Sequence, residues 1–307
     1  MSRTGRYAPS PTSDLHVGNL RTALLAWLFA RHSGRRFVLR IEDLDRQRVA
    51  AAGVEQQQLD DLTAIGVEFD GDAVRQSDRD AAYAAAAARL ADVTYECFCS
   101  RREIAEAVRA PHGATAAYPG TCRDLTEAER EERRSARPPE LRNATTLRVR
   151  ADSAVQAFTD LLHGPGSGTV DDFVIRRGDG VWSYNFAVVV DDIDAGIDQV
   201  VRVDDLLDSS PRQAWLTARL GGTVPEYVHV PLVLNAEGVR LAKRDRATTL
   251  ADLAGRGVEP PAVLSAMAHS LGLAEPGEPV SPAVLLERFR PELLPREPWR
   301  FVPDDLF

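Results

Sequence analysis

Lysine and arginine together number 37, and the one lysine among them is Lys243. Arginine spreads its charge over a planar fork, whereas lysine delivers a compact point charge on a flexible stem. A chain that uses arginine everywhere else points to a need for an ammonium at position 243, against the alternative of one lysine surviving a compositional bias. A second candidate lies near the start, where Pro9-Ser10-Pro11 leads into His16-Val17-Gly18-Asn19. Backbone N–H groups and the dipole at a helix start favour an anion, and Gly18 lets a ligand approach the backbone closely. The third cluster is Cys97, Cys99 and Cys122. Three thiols are one ligand short of a four-coordinate zinc site, and on the residues alone His112 is the choice for the fourth.

The elements needed to position these groups follow from hydrophobic periodicity. Residues 3–8 form a short strand, and the apolar residues Leu20, Leu24, Trp27 and Leu28 recur at helical spacing from Gly18 to about His32, before the stop at Gly34. RFVLRIED at 36–43 is a strand ending in carboxylates. This strand, helix, strand order predicts a parallel sheet with a ligand at the strand ends. Further helices are expected over 55–65, 78–90, 211–220, 248–255, 261–271 and 282–288. TTLRVR, DFVIRR, GVWSYNFAVVVDD, VVRV and VHVPLVL are expected as strands, the second and third joined by a Gly-Asp-Gly turn. The acidic and basic residues mixed through REERRSAR at 130–137 read as a solvated helix face rather than an RNA contact.

The expected fold is α/β, a Rossmann-type parallel-sheet catalytic domain with a zinc-binding insertion and a small C-terminal helical region. The division is 1–94 for the first half of the catalytic domain, 95–142 for the insertion, 143–246 for the second half with the lysine loop, and 247–307 for the helical region. A net charge of −9 argues against a nonspecific nucleic-acid coat while leaving room for a local RNA site. The first residues have no signal-peptide core and no apolar run is long enough for a bilayer, so a cytoplasmic chain without membrane contact is expected. There a disulfide between the cysteines is disfavoured.

Strand, Pro-rich loop, HxGx and helix together resemble the first signature of the class I aminoacyl-tRNA synthetases, with Asn19 in place of the usual second histidine. Arg240-Leu241-Ala242-Lys243-Arg244, after the NAEG turn, resembles the second, a loop whose lysine contacts the triphosphate. Arg240 and Ala242 replace the usual lysine and serine. Both signatures in this chain order are far less probable by accident than either alone. Further blocks resemble the glutamyl branch: Arg6 to Thr12, Leu39 to Asp45, Gln76-Ser77-x-Arg79, Tyr184 to Asp192 and Val201 to Leu206.

Glutamate presents two carboxylates and one ammonium. Arg6 and Arg202 suit the carboxylates as bidentate partners, and Glu42 suits the ammonium. The resemblance adds Tyr184, Ala8 and Ser10 to the glutamate pocket, and assigns His16, Gly18, Asn19 and Lys243 to ATP. His16, Gly18 and Lys243 would stabilise charge on the phosphates, with Mg²⁺ accompanying ATP. Val203 stands where the family usually has glycine. For the metal, the resemblance to short glutamyl-synthetase-like proteins implies one structural zinc held by Cys97, Cys99, Tyr118 and Cys122.

About sixty residues follow the Lys243 loop, too few for the large region with which a full glutamyl-tRNA synthetase reads the anticodon. This short architecture resembles the branch that joins glutamate to the queuosine base of tRNA(Asp), and the resemblance alone supplies that acceptor. A monomer is expected. Two alternatives stay open: a truncated synthetase that charges a tRNA 3′ end, and a non-catalytic module that binds glutamate or ATP.

Overall fold

The computed structural model describes residues 3–45, 53–100, 103–104, 118–241 and 248–306. In chain order, β1 (Thr4–Tyr7), α1 (Val17–His32), β2 (Arg36–Ile41), α2 (Val54–Ala64), β3 (Val74–Arg75) and α3 (Asp80–Ala88) come first. Then follow β4 (Thr94–Cys97), α4 (Glu127–Ser135), β5 (Thr146–Val149), β6 (Ala154–Asp160), β7 (Gly164–Val170) and β8 (Phe173–Arg176). The remainder comprises α5 (Tyr184–Asp194), β9 (Ile197–Val203), α6 (Ser210–Arg219), β10 (Glu226–Val230), β11 (Val233–Leu234), α7 (Leu250–Ala254), α8 (Pro260–Ser270), α9 (Pro282–Arg288) and β12 (Trp299–Arg300).

The main sheet has seven strands in the order β3-β2-β1-β9-β10-β6-β7. Its pairs are parallel except the β6–β7 hairpin. The order turns back beside β1, where β2 lies on one side and β9 on the other, and such a switch point leaves a crevice at the carboxyl ends of the strands. Arg6, Glu42 and Arg202 lie at or just beyond those ends of β1, β2 and β9.

Helix α1 is buried almost all round from Val17 to Ala30. It shares a core with strand residues such as Phe37, Leu39 and Val228, and with Leu253, Val263, Leu264 and Phe289 from the C-terminal segment. Each such side chain contributes about 1.5–3 kcal/mol on full burial. Arg21 ties the C-terminal segment to the same helix: it is fully buried and donates to Pro231 O at 3.2 Å and Ser270 Oγ at 3.0 Å. Burial lowers its pKa to about 10, so it stays charged at neutral pH.

The largest difference from the sequence reading is at 180–192. GVWSYNFAVVVDD was expected as a strand, but residues 184–194 form α5, with Ser183 as N-cap accepting from Phe186 N. Three consecutive valines favour a strand locally. Residues 186–192 are all buried, so the helix shows no polar stripe, and a continuous apolar run does not separate buried helix from buried strand. The β6–β7 hairpin was not anticipated, because GPGSGTV looks like loop. Gly166 there leaves no room for a Cβ, which would stand 2.5 Å from the Phe158 ring opposite. Helix α4, with no buried residue, is the solvated surface helix expected around 130–137.

Candidate active site and metal centre

One cavity of about 700 Å³ opens at the switch point, and its lining includes Arg6, Ala8, Ser10, His16, Gly18, Asn19, Glu42, Tyr184 and Arg202. Those are all the expected glutamate and ATP residues except Lys243, which lies outside the described residues. Arg240 and Leu241, just before it, line the same cavity. After residues 242–247, Thr248 O accepts from Val17 N at 2.8 Å. Arg240 is ion-paired with Asp205, and Val203 is part of the wall.

His16 is the N-cap of α1. Its Nδ1 accepts from Asn19 N at 3.2 Å, and Asn19 Oδ1 accepts from His16 N at 3.2 Å, which closes a reciprocal capping box. In the neutral ring this leaves the proton on Nε2. The packing also explains Gly18. A Cβ there would sit 3.0 Å from the His16 ring and 3.2 Å from Val233 Cβ, so only glycine lets the imidazole lie against the helix start. The 10–13 loop is held by a residue that the motifs did not point to: Gln58 Nε2 donates to Ser10 O at 3.1 Å and Ser13 O at 2.6 Å.

Beneath the cavity lies a buried charge network. Asp192 Oδ1 accepts from Arg40 Nη1 at 2.6 Å and from Arg6 Nε at 3.4 Å, and Arg40 Nη2 donates to Glu42 Oε1 at 3.2 Å. Asp191 gathers Gln76 at 2.7 Å, Arg79 at 2.6 Å and the Tyr83 hydroxyl at 3.0 Å. Burial opposes the charge on Asp192, yet the guanidiniums of Arg40 and Arg6 hold its pKa below the ordinary aspartate value. Glu42 goes the other way, because its burial outweighs the same two arginines and raises its pKa. An ammonium placed against Glu42 would relieve that cost. Arg40 stood in a recognised block without an assigned role, and no local pattern revealed that it joins Glu42 to Asp192.

Arg202 is buried among neutral acceptors. It donates to His229 Nε2 at 2.9 Å, Gln213 Oε1 at 2.6 Å, Ser210 Oγ at 2.9 Å and Leu206 O at 3.3 Å. Desolvation lowers its pKa. An anion entering the cavity beside it would supply the missing counter-charge.

The three sulfur atoms of Cys97, Cys99 and Cys122 lie within 4.8 Å of one another. Cys99 Sγ is 3.6 Å from Cys122 Sγ, and the Tyr118 hydroxyl is 3.3 Å from Cys97 Sγ and 3.8 Å from Cys99 Sγ. Bonds of about 2.3 Å to sulfur and 2.0 Å to oxygen give tetrahedral edges of roughly 3.5–3.8 Å, and these three separations lie close to such edges, so the cluster is consistent with a metal site. Around it, Phe98 N donates to Cys122 Sγ at 3.4 Å and Cys122 N to the Tyr118 oxygen at 2.9 Å. The Arg148 guanidinium lies 3.8 Å from the Tyr118 ring centre and offsets the negative charge of such a donor set. Hydrogen bonding between Cys97 and Cys122 pushes the Cys97 thiol up to about 12 and draws Cys122 down to about 6. Burial raises Tyr118 strongly, so a phenolate there requires a cation. His112, the alternative fourth ligand, lies outside the described residues.

Residues 3–292 match the family model for the catalytic domain of class I tRNA synthetases (E and Q). A Nocardia farcinica protein named glutamyl-Q tRNA(Asp) synthetase is 58% identical over 297 residues, 96% of this chain and 92% of the relative. A protein of the same name from Symbiobacterium thermophilum is 45% identical over 96% of this chain and 95% of its own. Among solved structures, a glutamate tRNA ligase from Elizabethkingia meningosepticum, in complex with its amino acid, superposes with a TM-score of 0.84. It shares 26% identity, and the match covers all of this chain and 68% of the ligase. Among the described residues no helix is long and apolar enough to cross a membrane. The fold, the cavity at its switch point and these similarities together place the chain in the class I tRNA synthetase (E and Q) family, within its glutamyl-Q tRNA(Asp) synthetase branch.

Proposed function

We propose that the chain activates L-glutamate with ATP and transfers it to the queuosine base in the anticodon of tRNA(Asp). The observation that carries the first step is the single cavity around which Arg6, Glu42, Tyr184 and Arg202 meet His16, Gly18 and Asn19. Arg202, among neutral acceptors, takes the side-chain carboxylate, which stays charged throughout the reaction. Arg6, already shared with Asp192, completes the anion site, and Glu42 holds the ammonium. Tyr184 closes the pocket, with Ala8 and Ser10 contributing from the loop after β1.

The α-carboxylate oxygen then attacks the α-phosphorus of ATP in line, a new P–O bond forms, and pyrophosphate leaves. Charge grows on the phosphate oxygens, so preorganised donors accelerate the step. The His16 Nε2–H, the start of α1 at Gly18 and Asn19, and the Lys243 ammonium supply them. ATP arrives as its Mg²⁺ complex. In the second step a hydroxyl of queuosine's cyclopentenediol attacks the mixed anhydride, forming an ester and releasing AMP.

Cys97, Cys99, Tyr118 and Cys122 would hold one zinc ion, which, with four protein ligands, ties the segment together and leaves no position for substrate. The division at 95–142 and 247–307 belongs to the same proposal.

The test uses radiolabelled glutamate, ATP and queuosine-containing tRNA(Asp), followed by nuclease mapping of the label. Label in the anticodon-loop fragment is the expected result. Label on the terminal adenosine would show 3′-end charging instead, and no glutamate-dependent pyrophosphate exchange would show a binding module.

A further inference from the structure

Behind Arg202, beneath the lining of the cavity, lie two buried side chains that the mechanism above does not use. His229, on β10, is completely buried, and its Nδ1 lies 2.6 Å from Asp160 Oδ2 at the end of β6. Parallel pairing sets His229 directly beside Arg202 on β9. The Asp160 carboxylate is itself held in one orientation. Its Oδ1 accepts from Leu162 N and His163 N, both at 2.8 Å, and its Oδ2 also accepts from His229 N at 3.0 Å.

This geometry allows one proton arrangement. Asp160 is an acceptor on every side, so His229 Nδ1 must carry the proton. Nε2 is then a bare acceptor, and it meets the Nε–H of Arg202 at 2.9 Å. A hydrogen on Nε2 would set two donors against each other and push the guanidinium away. Ser210 Oγ, which accepts from Arg202, lies 3.3 Å from the same Nε2 and closes the arrangement from α6.

We infer that Asp160 and His229 form a tautomer lock that positions Arg202 for the side-chain carboxylate of glutamate. Neither residue touches substrate, so both are positioning residues. The inference rests on the reading of Arg202 as a glutamate-binding residue.

In Asp160→Asn, whichever way the amide turns, an NH₂ faces backbone donors. With its oxygen kept on Leu162 N and His163 N, the NH₂ points at His229. The stable tautomer of His229 then becomes Nε2–H, which opposes Arg202.

Two measurements test this. Long-range ¹⁵N–¹H NMR of the full-length protein reads the tautomer directly, with Nδ1–H expected in the wild type and Nε2–H in Asp160→Asn. Pyrophosphate exchange reads the consequence: KM for glutamate rises about tenfold or more in Asp160→Asn, with KM for ATP within about twofold. His229→Gln in the Asp160→Asn background offers an amide oxygen to Arg202 without a tautomer, and brings KM for glutamate back to within about threefold of wild type.

An Nε2–H tautomer in the wild type overturns the lock, as does a folded Asp160→Asn variant with unchanged KM for glutamate. If Asp160→Asn does not fold, the wild-type spectrum and His229→Gln alone decide. Arg202→Gln separates the two levels. Unchanged KM for glutamate there refutes the glutamate-site reading, whereas a rise there without one in Asp160→Asn refutes only the lock.

Discussion

Asp192 and Arg40 form a buried ion pair at 2.6 Å, and the same carboxylate oxygen reaches Arg6 in the wall of the cavity. The floor of the site is therefore also part of the protein's stability. Removing one partner of a buried pair leaves the other uncompensated, at a cost of about 3–5 kcal/mol. Asp192→Ala is expected to lose that much in urea unfolding and to raise KM for glutamate through Arg6. Unfolding within about 1 kcal/mol of wild type would contradict this account.

The pH dependence of this pair has a definite sign. The folded pKa of Asp192 lies below its unfolded value, so its contribution is fully present above the unfolded value of about 4 and is lost as pH falls through the folded one. Acid titration of stability should show wild type and Asp192→Asn converging below about pH 4 and separating above it. A gap that widens toward acid would have the wrong sign.

Gly18 is expected to matter through His16. In Gly18→Ala the added methyl meets the imidazole at 3.0 Å on one side and Val233 at 3.2 Å on the other, so the ring must move. Overpacking of this kind costs about 1–3 kcal/mol. Pyrophosphate exchange should show a rise in KM for ATP or a fall in kcat of about tenfold with KM for glutamate nearly unchanged. A crystal structure with an unmoved His16 ring would remove the explanation.

Lys243→Ala should lower kcat of pyrophosphate exchange by about a hundredfold, the effect of removing one preorganised donor to transition-state charge. Lys243→Arg should restore little of it, because a fork does not replace a point charge. Exchange at the wild-type rate in Lys243→Ala would exclude the role.

The metal centre gives a separable outcome. Elemental analysis of purified protein should find one zinc per chain, and Cys122→Ser or Tyr118→Phe should reduce metal retention after chelation. Melting temperature should fall while KM for glutamate stays within about threefold, as expected of a closed structural site. Full metal retention in Tyr118→Phe would remove tyrosine from the ligand set.

Much of this protein is legible in its residues alone. Helical spacing from Leu20 to Leu28 set α1, strand, loop and helix order set the parallel sheet, and the blocks resembling the glutamyl branch pointed to Arg6, Glu42 and Arg202, which line the cavity with HVGN residues. The first two signals are short-range in sequence, whereas Arg6, Glu42 and Arg202, taken singly, look like ordinary surface ion pairs and stand out only within the blocks that carry the resemblance. What stayed hidden is long-range or masked by uniform burial. The valine run of α5 looked like strand because burial on every side erased its period. Asp192 and Arg40, 152 positions apart, and Asp160 and His229, 69 apart, reveal nothing as isolated residues. Only the folded sheet, by setting β10 beside β9 and β6, turns a histidine in an apolar strand into the acceptor that faces Arg202. The types of groups that can bind glutamate and phosphate are local properties of the chain. Their protonation and aim depend on neighbours that tertiary structure alone supplies, because a buried charge is governed by what desolvates and pairs it.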